Sequence, residues 1–165
     1  MKMKNLKLNI SRVLVAILVL TSFVACDEVG DNDPGGTSVK ALAGDWFITI
    51  SNSSGVAISE HDLFSTYNTA ANDGGLWLDD HEAVAEFKVK VMTKADGTFS
   101  ASASANEYNS RTVNITEGKV EKKAATSLGG HKVDKITFKA EFSDEPGVIY
   151  SYEGHKRTGF AEDEY

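Results

Sequence analysis

One cysteine, Cys26, stands alone in 165 residues, so no disulfide can form within the chain and stability must come from a packed core. Proline is nearly as scarce. Pro34 and Pro146 both fall among turn-forming residues, so neither breaks a strand pattern. The longest apolar run, residues 13–20 (VLVAILVL), has eight residues, against the roughly 20 that a membrane-crossing helix needs. Positive charge is in deficit, with 17 Lys and Arg against 24 Asp and Glu. That balance opposes binding to nucleic acid and to anionic head groups. Catalytic signatures are missing as well. The sequence holds no G-x-S-x-G nucleophile elbow, no H-E-x-x-H pair and no D-x-[DN]-x-[DN]-G calcium loop.

Residues 1–12 carry Lys2, Lys4, Lys7 and Arg12 and no acid; the apolar run follows, and a short stretch ends on the small residue Ala25. A positive head, a short apolar segment and a small-residue cleavage site make a secretory signal. Phe23-Val24-Ala25-Cys26 resembles the lipobox of bacterial lipoproteins, with Phe23 in place of the usual Leu. Cys26 is therefore the expected lipid-attachment residue, and acyl chains contributing about 0.8 kcal/mol per buried CH₂ would anchor the chain to a membrane. Cleavage there leaves 13 basic residues against 24 acidic ones, a net charge of −11. Residues 27–38 (DEVGDNDPGGTS) have no large apolar residue except Val29, the composition of a flexible tether. The expected organisation is a signal over 1–25, an acidic tether over 26–38 and one folded domain over 39–165.

From Asp45 onward the dominant pattern has period two, which marks half-buried strands. Trp46, Ile48 and Ile50 share one face. Phe87, Val89 and Val91 oppose Lys88 and Lys90, and Ile136, Phe138, Ala140 and Phe142 alternate with Lys135, Thr137, Lys139 and Glu141. Val113 and Ile115 continue the pattern, and Glu117-Gly118 reads as a tight turn leading into Val120. Asp96-Gly97 and Ser143-Asp144-Glu145-Pro146-Gly147 read as two further turns. Short helical turns are expected only over 39–43 and 80–84. About eight strands with short connections predict an all-β, antiparallel up-and-down barrel. The pattern leaves open whether its interior is filled by side chains or holds one small ligand.

Gly44-Asp45-Trp46, at the start of the first strand, resembles the G-x-W element of lipocalins and other calycins. In that superfamily the Trp closes one barrel end beneath a basic residue from the last strand. The resemblance implies a barrel-closing Trp46–Arg157 pair, worth about 0.5–2 kcal/mol as a cation–π contact. Thr66-Tyr67-Asn68-Thr69-Ala70-Ala71-Asn72-Asp73, Leu76-Trp77-Leu78-Asp79-Asp80, Phe87-Lys88-Val89-Lys90-Val91 and Arg157-Thr158-Gly159-Phe160 look like a family of Bacteroidetes lipoproteins described as lipid-binding putative hydrolases. That resemblance implies a calycin-like barrel at the outer membrane, periplasmic or surface-exposed, and offers no catalytic residues to carry over.

Asp79-Asp80-His81-Glu82 is the densest set of metal-type ligands, and it reads as a solvated acidic turn rather than a metal site. His61, His81, His131 and His155 sit beside acids, glycine or lysine, as solvated loop residues do. No catalytic residue, cofactor or metal is expected. Tyr67, Tyr108, Tyr150 and Tyr152, with apolar bodies and polar tips, join Trp77 as candidate ligand-binding residues at a cavity mouth. Three function classes follow. The leading one is a barrel that binds a small hydrophobic or amphipathic, lipid-like ligand. The second is a non-catalytic module contacting another envelope protein through the barrel exterior or the 61–83 connection. The third is a hydrolase, which needs Ser, His and an acid together in a cleft. An apolar lumen favours the first; a barrel plugged by Trp46, Phe87, Phe138 and Phe142 favours the second.

Overall fold

The computed structural model describes residues 36–164. Eight strands follow one another around a closed antiparallel barrel: β1 (Gly44–Ser51), β2 (Ala57–Asn68), β3 (Gly75–Asp79), β4 (Lys88–Thr93), β5 (Thr98–Ala105), β6 (Thr112–Thr126), β7 (Lys132–Phe142) and β8 (Ile149–Lys156). β1 meets β8 to close the ring, with Trp46 opposite Lys156 and Ile50 opposite Tyr152. Closure leaves the sheet no free edge. This is the up-and-down barrel that the alternation predicts.

Strand geometry sends alternate side chains to opposite faces. The inward rows of β1 (Trp46, Ile48, Ile50), β4 (Val89, Val91), β6 (Val113, Ile115) and β7 (Ile136, Phe138, Ala140, Phe142) are all 3% exposed or less. Aromatic rings occupy the middle. Phe138 and Tyr152 stack at 4.5 Å, Phe64 lies 5.5 Å from Phe138, and Phe87 lies 5.8 Å from Tyr152. The barrel is filled. Its buried core runs from Val39 to Tyr152, so the domain carries its own core.

Several local expectations change. The helical turn over 39–43 exists as a 3-10 turn, Lys40–Leu42, with Val39 and Leu42 buried against the core. None forms over 80–84, because His81 and Glu82 both adopt left-handed backbone angles (φ 56° and 58°). Glu117-Gly118 is not a turn: it lies within β6 as a bulge, where pairing to β7 shifts between Thr116 and Lys119. A Cβ on Gly118 would collide with the ring and carbonyl of Phe99, so the bulge needs glycine for close approach. The true β6–β7 turn is at Ser127–His131, closed by the Ser127 amide on the His131 carbonyl at 2.9 Å. β2 replaces much of the 61–83 connection. Gly36, Thr37 and Ser38, read as tether, fall within the domain unit, and the Ser38 amide bonds Asn72 Oδ1 at 2.8 Å.

Candidate functional site

The two ends of the barrel differ. At the closed end the Trp46 Nε1–H donates to Thr66 Oγ1 (2.9 Å), and the Thr66 hydroxyl donates to the Leu42 carbonyl (2.7 Å). The cation over the indole is Lys156, its Nζ 5.7 Å from the ring and 3.0 Å from the Ala43 carbonyl. The implied Trp46–Arg157 pair is therefore corrected. Register places Lys156 opposite Trp46, and alternation turns the next residue outward. There Arg157 lies 5.9 Å from the Phe47 ring and donates through Nε and Nη2 to Glu164 (2.5 and 2.6 Å).

At the other end a pocket of about 160 Å³ opens among three connections. Its deep part is Ile50, Phe142 and Tyr152, each 3% exposed or less; Ile58 and Val84, 51% and 40% exposed, form its outer lip. Ala85, Arg111, Glu145 and Tyr150 complete the lining. The β3–β4 connection beside it is organised by Asp80. That carboxylate, 3% exposed, accepts the amides of Ala85 (2.8 Å), Phe87 (2.9 Å) and Glu82 (3.1 Å). Phe87 then fixes the end of the connection in the core.

Arg111, from the β5–β6 connection, fastens the mouth. Its Nη2 donates to the Ala85 carbonyl, its Nε to Asn109 Oδ1 (3.3 Å), and its Nη1 reaches Asp144 Oδ2 (3.5 Å) in the β7–β8 connection. The guanidinium also lies 4.9 Å from the Phe142 ring. One side chain thus joins three connections around the opening. Neither Asp80 nor Arg111 was an expected binding residue. A carboxylate directly after an apolar strand is the signal for Asp80; Arg111 has none in the sequence.

Of the five expected ligand residues, Tyr150 and Tyr152 line this pocket, while Tyr67, Trp77 and Tyr108 do not. Tyr67 and Trp77 face outward, because inward positions of β2 and β3 belong to Phe64, Thr66, Leu76 and Leu78, and Tyr108, from the β5–β6 connection, joins Tyr67 on Asp79. The Tyr67 and Tyr108 hydroxyls each donate to Asp79 at 2.6 Å, and the His81 amide donates at 2.9 Å. Burial alone would raise the Asp79 pKa, but these hydroxyl and amide donors outweigh it and hold the carboxyl below its ordinary value. Lys88 Nζ lies 5.4 Å from the Tyr67 ring and 5.5 Å from the Trp77 ring, so this aromatic cage already holds a cation. The acidic turn is solvated only in its second half: Asp79 and Asp80 are 5% and 3% exposed, whereas His81 and Glu82 are exposed. Nor are all four histidines loop residues. His61 stacks on Phe47 at 4.0 Å from β2, and His155 meets the same ring edge-on from β8.

Ser65 brings a serine, a histidine and acids together. Its Oγ donates to Asp45 Oδ1 (2.6 Å) and meets His81 Nε2 at 2.8 Å, while His81 Nδ1 stands 4.0 Å from Asp79 Oδ1. A hydrolytic triad directs the serine proton to the imidazole and hydrogen-bonds the far nitrogen to the acid. Here the proton goes to Asp45, and the far nitrogen is beyond hydrogen-bond distance. Ser65 also lies within β2 between paired residues of β1 and β3, where strand amides are committed to the sheet rather than free for an oxyanion.

A larger outer groove, about 610 Å³, crosses Phe47, His61 and His155, but charged Glu60, Lys135 and Glu153 also line it. It suits a lipid-like ligand less well than the smaller mouth. Among the described residues no group of three His, Cys, Asp or Glu side chains could hold a metal ion. No helix among them is long and apolar enough to cross a membrane. Cys26 lies outside the described residues.

Fold and mouth together define a calycin-like barrel, filled along its length and open to an apolar site at one end. The chain belongs to the family described as lipid-binding putative hydrolase, whose model matches residues 31–161. Comparison with curated proteins finds no match. Among solved structures the chain is similar to a structural-genomics crystal structure of unknown function from Bacteroides ovatus, at 14% identity and a TM-score of 0.48. The match covers 74% of this chain and 43% of that one, so the chain spans less than half of that protein's length.

Proposed function

We propose that this protein is an envelope lipoprotein that holds one end of a lipid-like amphiphile in the mouth pocket. The observation that carries the reading is the pocket itself, about 160 Å³ and floored by Ile50, Phe142 and Tyr152. An apolar cavity of about 150 Å³ takes one benzene-sized group, so only an end of such a ligand enters. Ile58 and Val84, with Val56 and Val148 on the neighbouring hairpin ends at 59% and 38% exposure, offer apolar surface to the remainder.

Native mass spectrometry with lipid extraction tests this on the chain from Asp27 onward, which contains the whole barrel and its core. A lipid-like mass at near one-to-one amount, lost on Val84→Asp, is the expected result. A bare mass, with no thermal shift against fatty acids and sterols, counts against it. That outcome favours a second reading, supported by the filled interior, in which the same rim docks on an envelope protein. The membrane anchor rests on Cys26. A Cys26→Ala chain should appear in the soluble fraction once its signal is cleaved, and a cleaved chain that stays anchored removes the lipoprotein assignment.

A further inference from the structure

Resting on the mouth-pocket reading, we infer that the amphiphile carries a primary ammonium head, which lodges in a second hollow beside the mouth, against the Glu86 and Asp144 carboxylates, while its apolar end enters the pocket. The hollow, about 380 Å³, is lined by Val84, Ala85, Glu86, Asn109, Arg111 and Asp144. It shares Val84, Ala85 and Arg111 with the pocket, so the two adjoin. Their chemistry differs. The pocket ends on Ile50, Phe142 and Tyr152, whereas the hollow adds two exposed carboxylates and an amide. An apolar recess joined to a polar one matches a molecule with a tail and a head.

The sign of the head follows from the charges around the opening. The connections 80–87, 106–111 and 143–148 carry Asp80, Glu82, Glu86, Glu107, Asp144 and Glu145 against one guanidinium, Arg111, and one imidazole, His81. Arg111 is committed along all three nitrogens: Nε to Asn109, Nη1 to Asp144, and Nη2 to the Ala85 and Glu86 carbonyls. An anionic head would therefore meet carboxylates without a free cation. Glu86 enters no ion pair among the described residues, and Asp144 meets Arg111 through Oδ2, which leaves Oδ1 open. The negative field reaches the pocket wall. The Tyr150 hydroxyl is held protonated above its ordinary range by its hydrogen bond to Glu145, then by burial and by the Glu145 and Asp144 charges. A primary ammonium suits such acceptors, since it brings three N–H donors and a full charge. A quaternary one would seek an aromatic face, and the Phe142 ring already meets the guanidinium at 4.9 Å.

Isothermal titration of the chain from Asp27 onward with octylammonium, 1-octanol and octanoate at neutral pH decides the matter. Octylammonium should bind about tenfold more tightly than octanol, and octanoate more weakly than either. Raising NaCl to about 0.5 M should remove most of that advantage while leaving octanol unchanged. Glu86→Gln keeps the side chain's size and the backbone carbonyl that Asn109 and Arg111 hold. It should weaken octylammonium by about three- to tenfold and leave octanol unchanged. Octanol or octanoate binding as tightly as octylammonium, or octylammonium binding indifferent to salt or to Glu86→Gln, overturns the head assignment and leaves the mouth reading standing. Failure of all three to bind removes both. The three ligands on the unaltered protein decide the question even if the variant misfolds.

Discussion

Asp80→Ala is expected to destabilise the domain by about 3–5 kcal/mol, the cost of leaving three amides of one connection without their acceptor. The carboxylate accepts three amides from the connection that borders the mouth. Each buried amide left unpaired costs about 1–3 kcal/mol, and water entering the loosened connection offsets part of that sum. His81, Glu82 and Glu86 hold left-handed backbone angles that the carboxylate now compensates. Without it the connection relaxes, and Val84 and Ala85 leave the pocket wall. Urea denaturation gives the stability change, and hydrogen exchange at Glu82, Ala85 and Phe87 shows whether the loss is local. Asp80→Asn keeps an acceptor oxygen and should lose roughly half as much. A shift under about 1 kcal/mol for the alanine variant means that other groups hold the connection.

Trp46→Ala should cost about 3–5 kcal/mol, within the range for deleting a large buried aromatic. Trp46 is fully buried, and three things depend on it. Its indole fills the closed end, its N–H satisfies Thr66, and its face receives Lys156. Lys156→Met removes the cation together with its hydrogen bond to the Ala43 carbonyl while the stem still packs, and the loss should stay within about 1–2 kcal/mol. Denaturant midpoints of the two variants separate the terms. Equal losses would mean that the cation, rather than the indole's bulk, closes the barrel.

The barrel was legible wherever inward and outward residues alternate without interruption. β7 is the clearest case, from Lys135 to Phe142. β2 does not show a strand's period because Glu60 and His61 bulge between the pairs Ile48–Asp62 and Ile50–Ser59, and an extra residue breaks the alternation. The same physics misled at Glu117-Gly118, where a bulge glycine looks like a turn glycine. At the closed end the indole was placed correctly but its cation was off by one residue, because alternation makes adjacent residues face opposite ways. The mouth was least legible. Tyr150 and Tyr152 have the right chemistry for a mouth, yet nothing local distinguishes them from Tyr67 and Tyr108. Arg111 acquires its role only when three connections distant in sequence converge on it.

The order of strands around the ring also governs how the chain can assemble. Seven of the eight seams join neighbours in sequence, so their loops close at little entropic cost. The eighth, between β1 and β8, unites segments such as Ala43 and Lys156, which are 113 positions apart. Nearly all the long-range cost of folding falls on that seam. Hairpins can zip early and in any order, but the aromatic interior is sealed only when Ile50 comes to face Tyr152. The two ends of the domain thus work as a buckle. Once fastened, neither end can fray without opening the ring.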